Sequence, residues 1–254
     1  MAEPTRVLIL GGTAEAAGLA RALAGEGRVA TITSLAGRTR APAAVPGAVR
    51  VGGFGGPDAL ADYLRQAGIG LVVDATHPFA ARISRNAAQA CAAAGVPRLL
   101  LARPPWTAQA GDAWISAADT EAAAAALPGL GRRAFLAIGR QELAAFTGLT
   151  ELWFLVRLVE APEAPPPLAA YHLVLGRGPF AVAQERELLR AHRIEAVVSK
   201  NSGGAGAAAK IAAARALELP VVMIERPPAP ESETAEDVAA ARAWIETRLK
   251  PKER

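Results

Sequence analysis

The chain predicts an α/β fold of two Rossmann-like, doubly wound lobes with mainly parallel sheets and an interlobe cleft. Three observations carry this. Val7-Leu8-Ile9-Leu10 is a run of branched or large apolar residues, as expected of a strand buried on both faces; it leads straight into Gly11-Gly12-Thr13 and an Ala-rich segment with Leu19 and Leu23 at helical spacing. The same order of strand, sharp turn and helix recurs along the chain. Arg103-Pro104-Pro105-Trp106 interrupts the rhythm and divides it into a lobe over residues 1–104 and a second over 105–254.

The first turn is the first candidate site. Backbone N–H groups at a helix start, approached closely through glycine, form an anion site, and a nucleotide diphosphate suits an N-terminal βα unit. The full G-x-G-x-x-G spacing is absent, since Thr13 and Ala16 stand where the later glycines would fall, so an ordinary structural turn is the alternative. The second strand, Arg28–Thr33, ends in Ser34-Leu35-Ala36-Gly37-Arg38-Thr39-Arg40 with no Asp or Glu between Ala30 and Arg40. An acidic residue there selects NAD, whereas a serine and arginines suit the extra phosphate of NADP. Gly11, Gly12, Thr13, Ser34, Arg38 and Arg40 therefore read as an NADPH site, in which exposed loop arginines are the competing explanation.

The passage Pro42–Gly56 holds a short Val49-Arg50-Val51 strand and a glycine loop, whose Gly53 joins the cofactor-binding set. Pro57 and Asp58 open a helix through Leu60 and Leu64. The strand Leu71–Asp74 leads into Ala75-Thr76-His77-Pro78-Phe79, then a helix to Ala94, the stop Gly95 and the strand Arg98–Leu101. Thr76, His77 and Pro78 fall at a strand end beside the cofactor. His77 is the candidate for ligand contact or proton transfer, with capping of the following helix as the alternative.

In the second lobe, strands are predicted at Ala134–Ile138, Leu152–Leu158, His172–Leu175, Ala196–Ser199 and Val221–Ile224. Helices are predicted near Gln141–Phe146, Ala181–His192, Ala205–Leu217 and Ala235–Leu249, the last capped by Thr234 with Asp237 three positions on. Pro162–Pro167 reads as a surface loop. Three strand ends carry polar or basic groups: Arg140, Arg177, and the turn Ser199-Lys200-Asn201-Ser202-Gly203-Gly204. Together they suit a ligand with several acidic arms, the turn being placed at a helix N-terminus. A capped helix with a solvated lysine is the structural alternative.

Composition bounds the rest. The 254 residues hold 28 basic against 24 acidic side chains, and all but 4 of the basic ones are arginine. The arginines are dispersed and aromatics make up 5 %, which argues against nucleic acid and leaves an anionic small molecule or GC-rich coding as the source of the bias. No apolar run approaches the roughly 18 residues of a membrane span, and no secretion leader precedes Val7. A cytoplasmic chain is expected, with Cys91 a small core residue, and three dispersed histidines without a C-x-x-C argue against a zinc site. Tyr63 and Tyr171 are followed at the Tyr-x-x-x-Lys spacing by Ala67 and Leu175, so the short-chain dehydrogenase chemistry is excluded.

Leu10-Gly11-Gly12-Thr13-Ala14-Glu15-Ala16, Ser34-Leu35-Ala36-Gly37-Arg38-Thr39, Asp74-Ala75-Thr76-His77-Pro78-Phe79-Ala80 and Ser199-Lys200-Asn201-Ser202-Gly203-Gly204 together resemble the precorrin-6A reductase family of cobalamin biosynthesis. The departures are Asn201, where an acidic residue is frequent, and Ala16-Ala17, where Gly-Arg is frequent. The resemblance implies NADPH-dependent reduction of one double bond of the precorrin-6A macrocycle to give precorrin-6B. It implies a tetrapyrrole substrate with acetate and propionate arms, met by Arg140, Arg177, Ser199, Lys200, Asn201, Ser202 and Gly203. A cobalt-precorrin-6A reductase of the anaerobic pathway and a non-catalytic NADPH sensor are the alternatives.

Overall fold

The computed structural model describes residues 3–37 and 44–249. In chain order the first elements are β1 (Thr5–Leu10), α1 (Ala14–Ala22), β2 (Val29–Leu35), β3 (Ala48–Val51), α2 (Pro57–Gln66), β4 (Ile69–Asp74), α3 (Ala81–Ala94) and β5 (Arg98–Leu101). There follow β6 (Ala113–Ala117), α4 (Thr120–Ala126), β7 (Arg133–Ala137), a 3-10 helix (Arg140–Phe146), β8 (Trp153–Leu158), β9 (Tyr171–Leu175), α5 (Val182–Ala191), β10 (Ala196–Lys200), α6 (Ala209–Ala216) and β11 (Pro220–Ile224). The chain closes with β12 (Glu233–Ala235) and α7 (Val238–Glu246).

These build two six-stranded sheets, ordered β3-β2-β1-β4-β5-β12 and β9-β8-β7-β10-β11-β6, with parallel pairing throughout. Within each unit the order runs 3-2-1-4-5 from one edge, with a sixth strand added beside the fifth. This is the doubly wound dinucleotide-fold arrangement, whose topological switch point lies between β1 and β4 in the first unit and between β7 and β10 in the second. In the first unit Val7 and Ile9 of β1 pack with Leu19 and Ala20 of α1 on one face of the sheet. Leu8 and Leu10 pack with Leu60, Leu64, Ala87 and Cys91 of α2 and α3 on the other. Residues buried on both faces explain the unbroken apolar strand.

The two units are not the two halves of the chain. One comprises the residues up to Arg103 and those from Pro228 onward; the other is Pro104–Pro227. The expected second lobe, 105–254, is thus corrected at its C-terminal end. The strand that follows β5 in sequence, β6, joins the second sheet beside β11, whereas β12 pairs with β5 through Glu233↔Leu99, Thr234↔Leu100 and Ala235↔Leu101. The cause is apolar: Ala241 and Ile245 lie four residues apart on one face of α7 and, with Leu249 just beyond it, pack with Leu19, Leu23 and Leu99. The expected cap at Thr234 is corrected as well. Thr234 is in the strand, and Asp237 caps α7 by accepting from Ala240 N at 2.8 Å. The strand β6 and the helix α4, capped by Asp119, had no counterpart in the sequence reading.

Ile245 is fully buried in the first unit. Ile245→Ala should lower unfolding free energy by about 2–5 kcal/mol, the range for removing a buried aliphatic side chain. Trp244 reports on that unit by fluorescence, since Trp106, Trp114 and Trp153 all lie in the other. A urea transition of Trp244 that does not move would refute the placement of α7 in this core.

Candidate cofactor and substrate sites

At the carboxyl end of the first sheet, the strand ends bring together most of the residues read as a cofactor site. Gly11 N donates to Ser34 O at 2.8 Å, and a Cβ at Gly11 would press on Thr33 and Leu35, so glycine is what lets the turn lie against β2. Gly12 has φ +109° and nothing within 4 Å of a Cβ placed there, leaving open space in front of the start of α1. Thr13 is the N-cap: its hydroxyl accepts from Ala16 N at 3.1 Å and donates to Ala75 O at 2.7 Å. Ala75 N in turn donates to Leu10 O at 3.0 Å, so the ends of β1 and β4 are tied across the switch point.

Ser34 sits at the end of β2 opposite Leu10, buried at 7 % exposure. Arg38 and Arg40 lie outside the described residues. Within β3, Arg50 donates to the carbonyl oxygens of Gly52 and of Gly53, the latter at 2.9 Å, and stacks over the Phe54 ring at 3.8 Å. Sequence reasoning did not single out Arg50; the adjacent glycines needing an organiser were the available signal. Gly53 itself is exposed.

Asp74, at the end of β4, is fully buried. Its Oδ1 accepts from Thr76 N at 3.2 Å and Thr76 Oγ1 at 2.7 Å, and its Oδ2 faces Arg98 Nη1 at 3.8 Å. The carboxylate shapes the Thr76–Pro78 loop from below. His77 is half-buried; its Nδ1 accepts from Phe79 N at 3.3 Å, which assigns the ring proton to Nε2. This bond closes the loop before α3 and is not the helix cap named as the alternative: the N-cap of α3 is Ala80, with no side-chain cap hydrogen bond.

In the second unit, the three predicted strand ends do lie at the carboxyl ends of β7, β9 and β10, but several of their side chains have internal partners. Arg140 is exposed. Arg177, half-exposed, lies 3.6 Å from Glu160. Lys200 pairs with Glu142 of the 3-10 helix. Ser199 is fully buried and donates to Lys200 O at 3.2 Å. The Asn201 amide holds the main chain of Trp106, accepting from its N at 2.8 Å and donating to its O at 3.0 Å. Ser199 and Asn201 thus make internal hydrogen bonds that support the turn. Ser202 and Gly203 are buried too; Arg226 donates to Asn201 O and Ser202 O, and a Cβ on Gly203 would overlap the Pro104 carbonyl.

The turn is also not a helix N-terminus. Gly203 and Gly204 take φ +67° and +72°, Trp106 Nε1 donates to Gly204 O at 2.8 Å, and α6 begins only at Ala209. The expected helix 141–146 is a 3-10 helix. Among the described residues no group of His, Cys, Asp and Glu is suited to a metal, and no helix is long and apolar enough to cross a membrane.

The family model described as precorrin-6x reductase CbiJ/CobK matches residues 6–246. The chain is 54 % identical over 245 residues to a precorrin-6A reductase of Rhodococcus erythropolis, covering 96 % of this chain and 98 % of the relative. It is 25 % identical over 253 residues to a cobalt-precorrin-6A reductase of Synechocystis, covering 96 % and 97 %. A solved structure of CobK precorrin-6A reductase superposes with a TM-score of 0.92 at 48 % identity, covering 98 % of this chain and 99 % of that one.

Lys210, in the first turn of α6, was not singled out by sequence reasoning. It is almost wholly buried, donates to Ala207 O at 2.9 Å and lies 5.0 Å from the Trp106 ring centre. Burial lowers its pKa from 10.5 to about 8; the Glu185 carboxylate opposes this shift and Arg157 adds to it. Glu185 is already paired bidentately with Arg157 at 2.7 and 2.8 Å. Between pH 8 and 10.5 the unfolded chain then holds a proton that the folded chain has lost, so this group makes stability rise with pH across that window. At 1.36 kcal/mol per pH unit the gain is about 3 kcal/mol. The unfolding free energy of the native chain minus that of Lys210→Met should increase by this amount between pH 7.5 and 10.5. The subtraction removes Cys91, whose thiol burial pushes up to about 11 and which acts in the opposite sense. A difference that stays flat with pH would refute a buried Lys210 charge.

Proposed function

This chain belongs to the precorrin-6x reductase family, and on that footing we propose that it reduces one carbon–carbon double bond of precorrin-6A to give precorrin-6B in cobalamin biosynthesis, in the cytoplasm, with NADPH as electron donor. The observation that carries the reading is the open glycine turn at a switch point in a chain more than half identical to a precorrin-6A reductase. The gap between 54 % and 25 % identity favours the metal-free macrocycle over its cobalt complex.

NADPH, when bound, supplies the hydride. The residues present fit it: Gly12 leaves the space a pyrophosphate needs, Gly12 and Thr13 offer main-chain N–H groups at the start of α1, and Gly11 holds the turn against β2. Ser34, Arg38 and Arg40 take the 2′-phosphate, and Gly53, Thr76, His77 and Pro78 complete the cofactor edge. His77 is our candidate for contact with the reacting groups, its Nδ1 held by Phe79 N so that the ring keeps one orientation. In the second unit Arg140, Arg177 and Lys200 receive carboxylate arms, exchanging them for Glu160 and Glu142 where those now pair. Ser199, Asn201, Ser202 and Gly203 shape that turn.

Anaerobic incubation with precorrin-6A and NADPH, followed optically and by mass, tests the reading. NADPH should be consumed as the macrocycle gains two hydrogens; an unchanged macrocycle with bound NADPH would favour a sensor. Arg38→Ala should weaken NADPH binding by about 1–3 kcal/mol, the range for a hydrogen bond to a charged group, and leave NADH binding unchanged. Equal losses for both cofactors in calorimetry would remove Arg38 from the 2′-phosphate site.

A further inference from the structure

Glu15 presents a problem for a phosphate site. It lies in the first turn of α1, two residues past the Thr13 cap, where the helix carries about half a unit of positive charge. A carboxylate is favourable there by itself, but beside a pyrophosphate it repels. Unscreened at a few ångströms, such a charge weakens anion binding by about ten- to a hundredfold. The residue that answers it is Arg103, whose Nη1 lies 2.7 Å from Glu15 Oε2. Arg103 stands two residues beyond β5, at the same carboxyl edge of the sheet as Gly11–Thr13. The backbone before it is anchored, since Ala102 N donates to Ala235 O at 2.9 Å. The paired side chains are 17 % and 22 % exposed, sheltered enough to interact strongly and open enough to meet a ligand.

We propose that Arg103 is a positioning residue of the cofactor site, cancelling the charge of Glu15 so that the start of α1 can accept the pyrophosphate of a nicotinamide dinucleotide. This rests on the cofactor reading above and extends it to a residue outside the glycine turn. The alternative is a brace that merely joins the end of β5 to α1. The pyrophosphate is common to NADH and NADPH, so the effect of Arg103 is blind to the 2′-phosphate, unlike that of Arg38.

Calorimetric affinities for NADPH and NADH, with melting temperatures, on the native chain, R103A, E15Q and the double variant decide between them. R103A should weaken both cofactors by about ten- to a hundredfold and by the same factor. E15Q should bind as well as the native chain or a few-fold tighter, and the double variant should return close to E15Q. A loss that persists in the double variant overturns the proposal, as does an R103A protein that melts lower yet binds normally. R103Q serves in the same cycle where R103A does not fold. A native chain that binds neither dinucleotide overturns the cofactor reading itself, a result distinct from any pattern among the variants.

Discussion

The hydroxyl of Thr13 is the joint on which the first unit's ligand edge depends. It closes the N-terminus of α1 through Ala16 N and reaches across to Ala75 O, at the end of β4. Those two strands are neighbours whose following helices pass to opposite faces of the sheet, so a gap opens between their ends. One side chain sets the width of that gap. The turns on either side are fixed by other bonds: Gly11 is pinned to Ser34 O, and Asp74 holds Thr76 by two hydrogen bonds. Parallel pairing then delivers every other candidate to the same edge, because all the strands of the sheet end there.

What was legible in the sequence follows the strength of the local signal. Val7–Leu10, Leu71–Asp74 and Val221–Ile224 are strands buried on both faces, and their unbroken apolar runs announce them. Gly95 stops α3 in the left-handed conformation expected of a C-terminal glycine, and Pro57 opens α2. The exchange of edge strands was invisible for a physical reason. The three residues of β12 carry no alternation to read, and its neighbour is chosen by the apolar stripe of α7, which would suit either unit. Nothing in Ala113–Ala117 says which sheet it joins.

The site was legible to the degree that backbone chemistry decides it. Glycine and threonine at a strand end require a particular turn, and the turn is there. Side-chain roles were harder, because a sequence displays a polar group without its partner. Lys200, Asn201 and Arg177 each suggest a ligand when read alone, yet Glu142, the Trp106 main chain and Glu160 lie against them. Those partners are distant only in the sense of chain order: Asn201 and Trp106 are 95 positions apart and in direct contact. Arg50, Arg226 and Lys210 escaped notice for the mirror reason, since a lone basic residue carries no local mark of being buried or of binding carbonyls.

The two units share one strand order but differ at the position that decides what each can hold. Two residues past the end of β1 stands Gly12, with empty space where a side chain would project and a capped α-helix behind it. Two residues past the end of β7 stands Gly139, where a Cβ would overlap the Glu142 carboxylate and the segment that follows is a 3-10 helix. At the second switch point a negative charge therefore occupies the place that in the first unit is open to an anion, and Lys200 is drawn to it. A diphosphate would displace that carboxylate from its lysine and meet no aligned helix start in return. The first unit is suited to a pyrophosphate through its backbone. Any acid bound by the second must be held through side chains that exchange one carboxylate for another, which favours a ligand with several arms, each weakly gripped, over one compact charge.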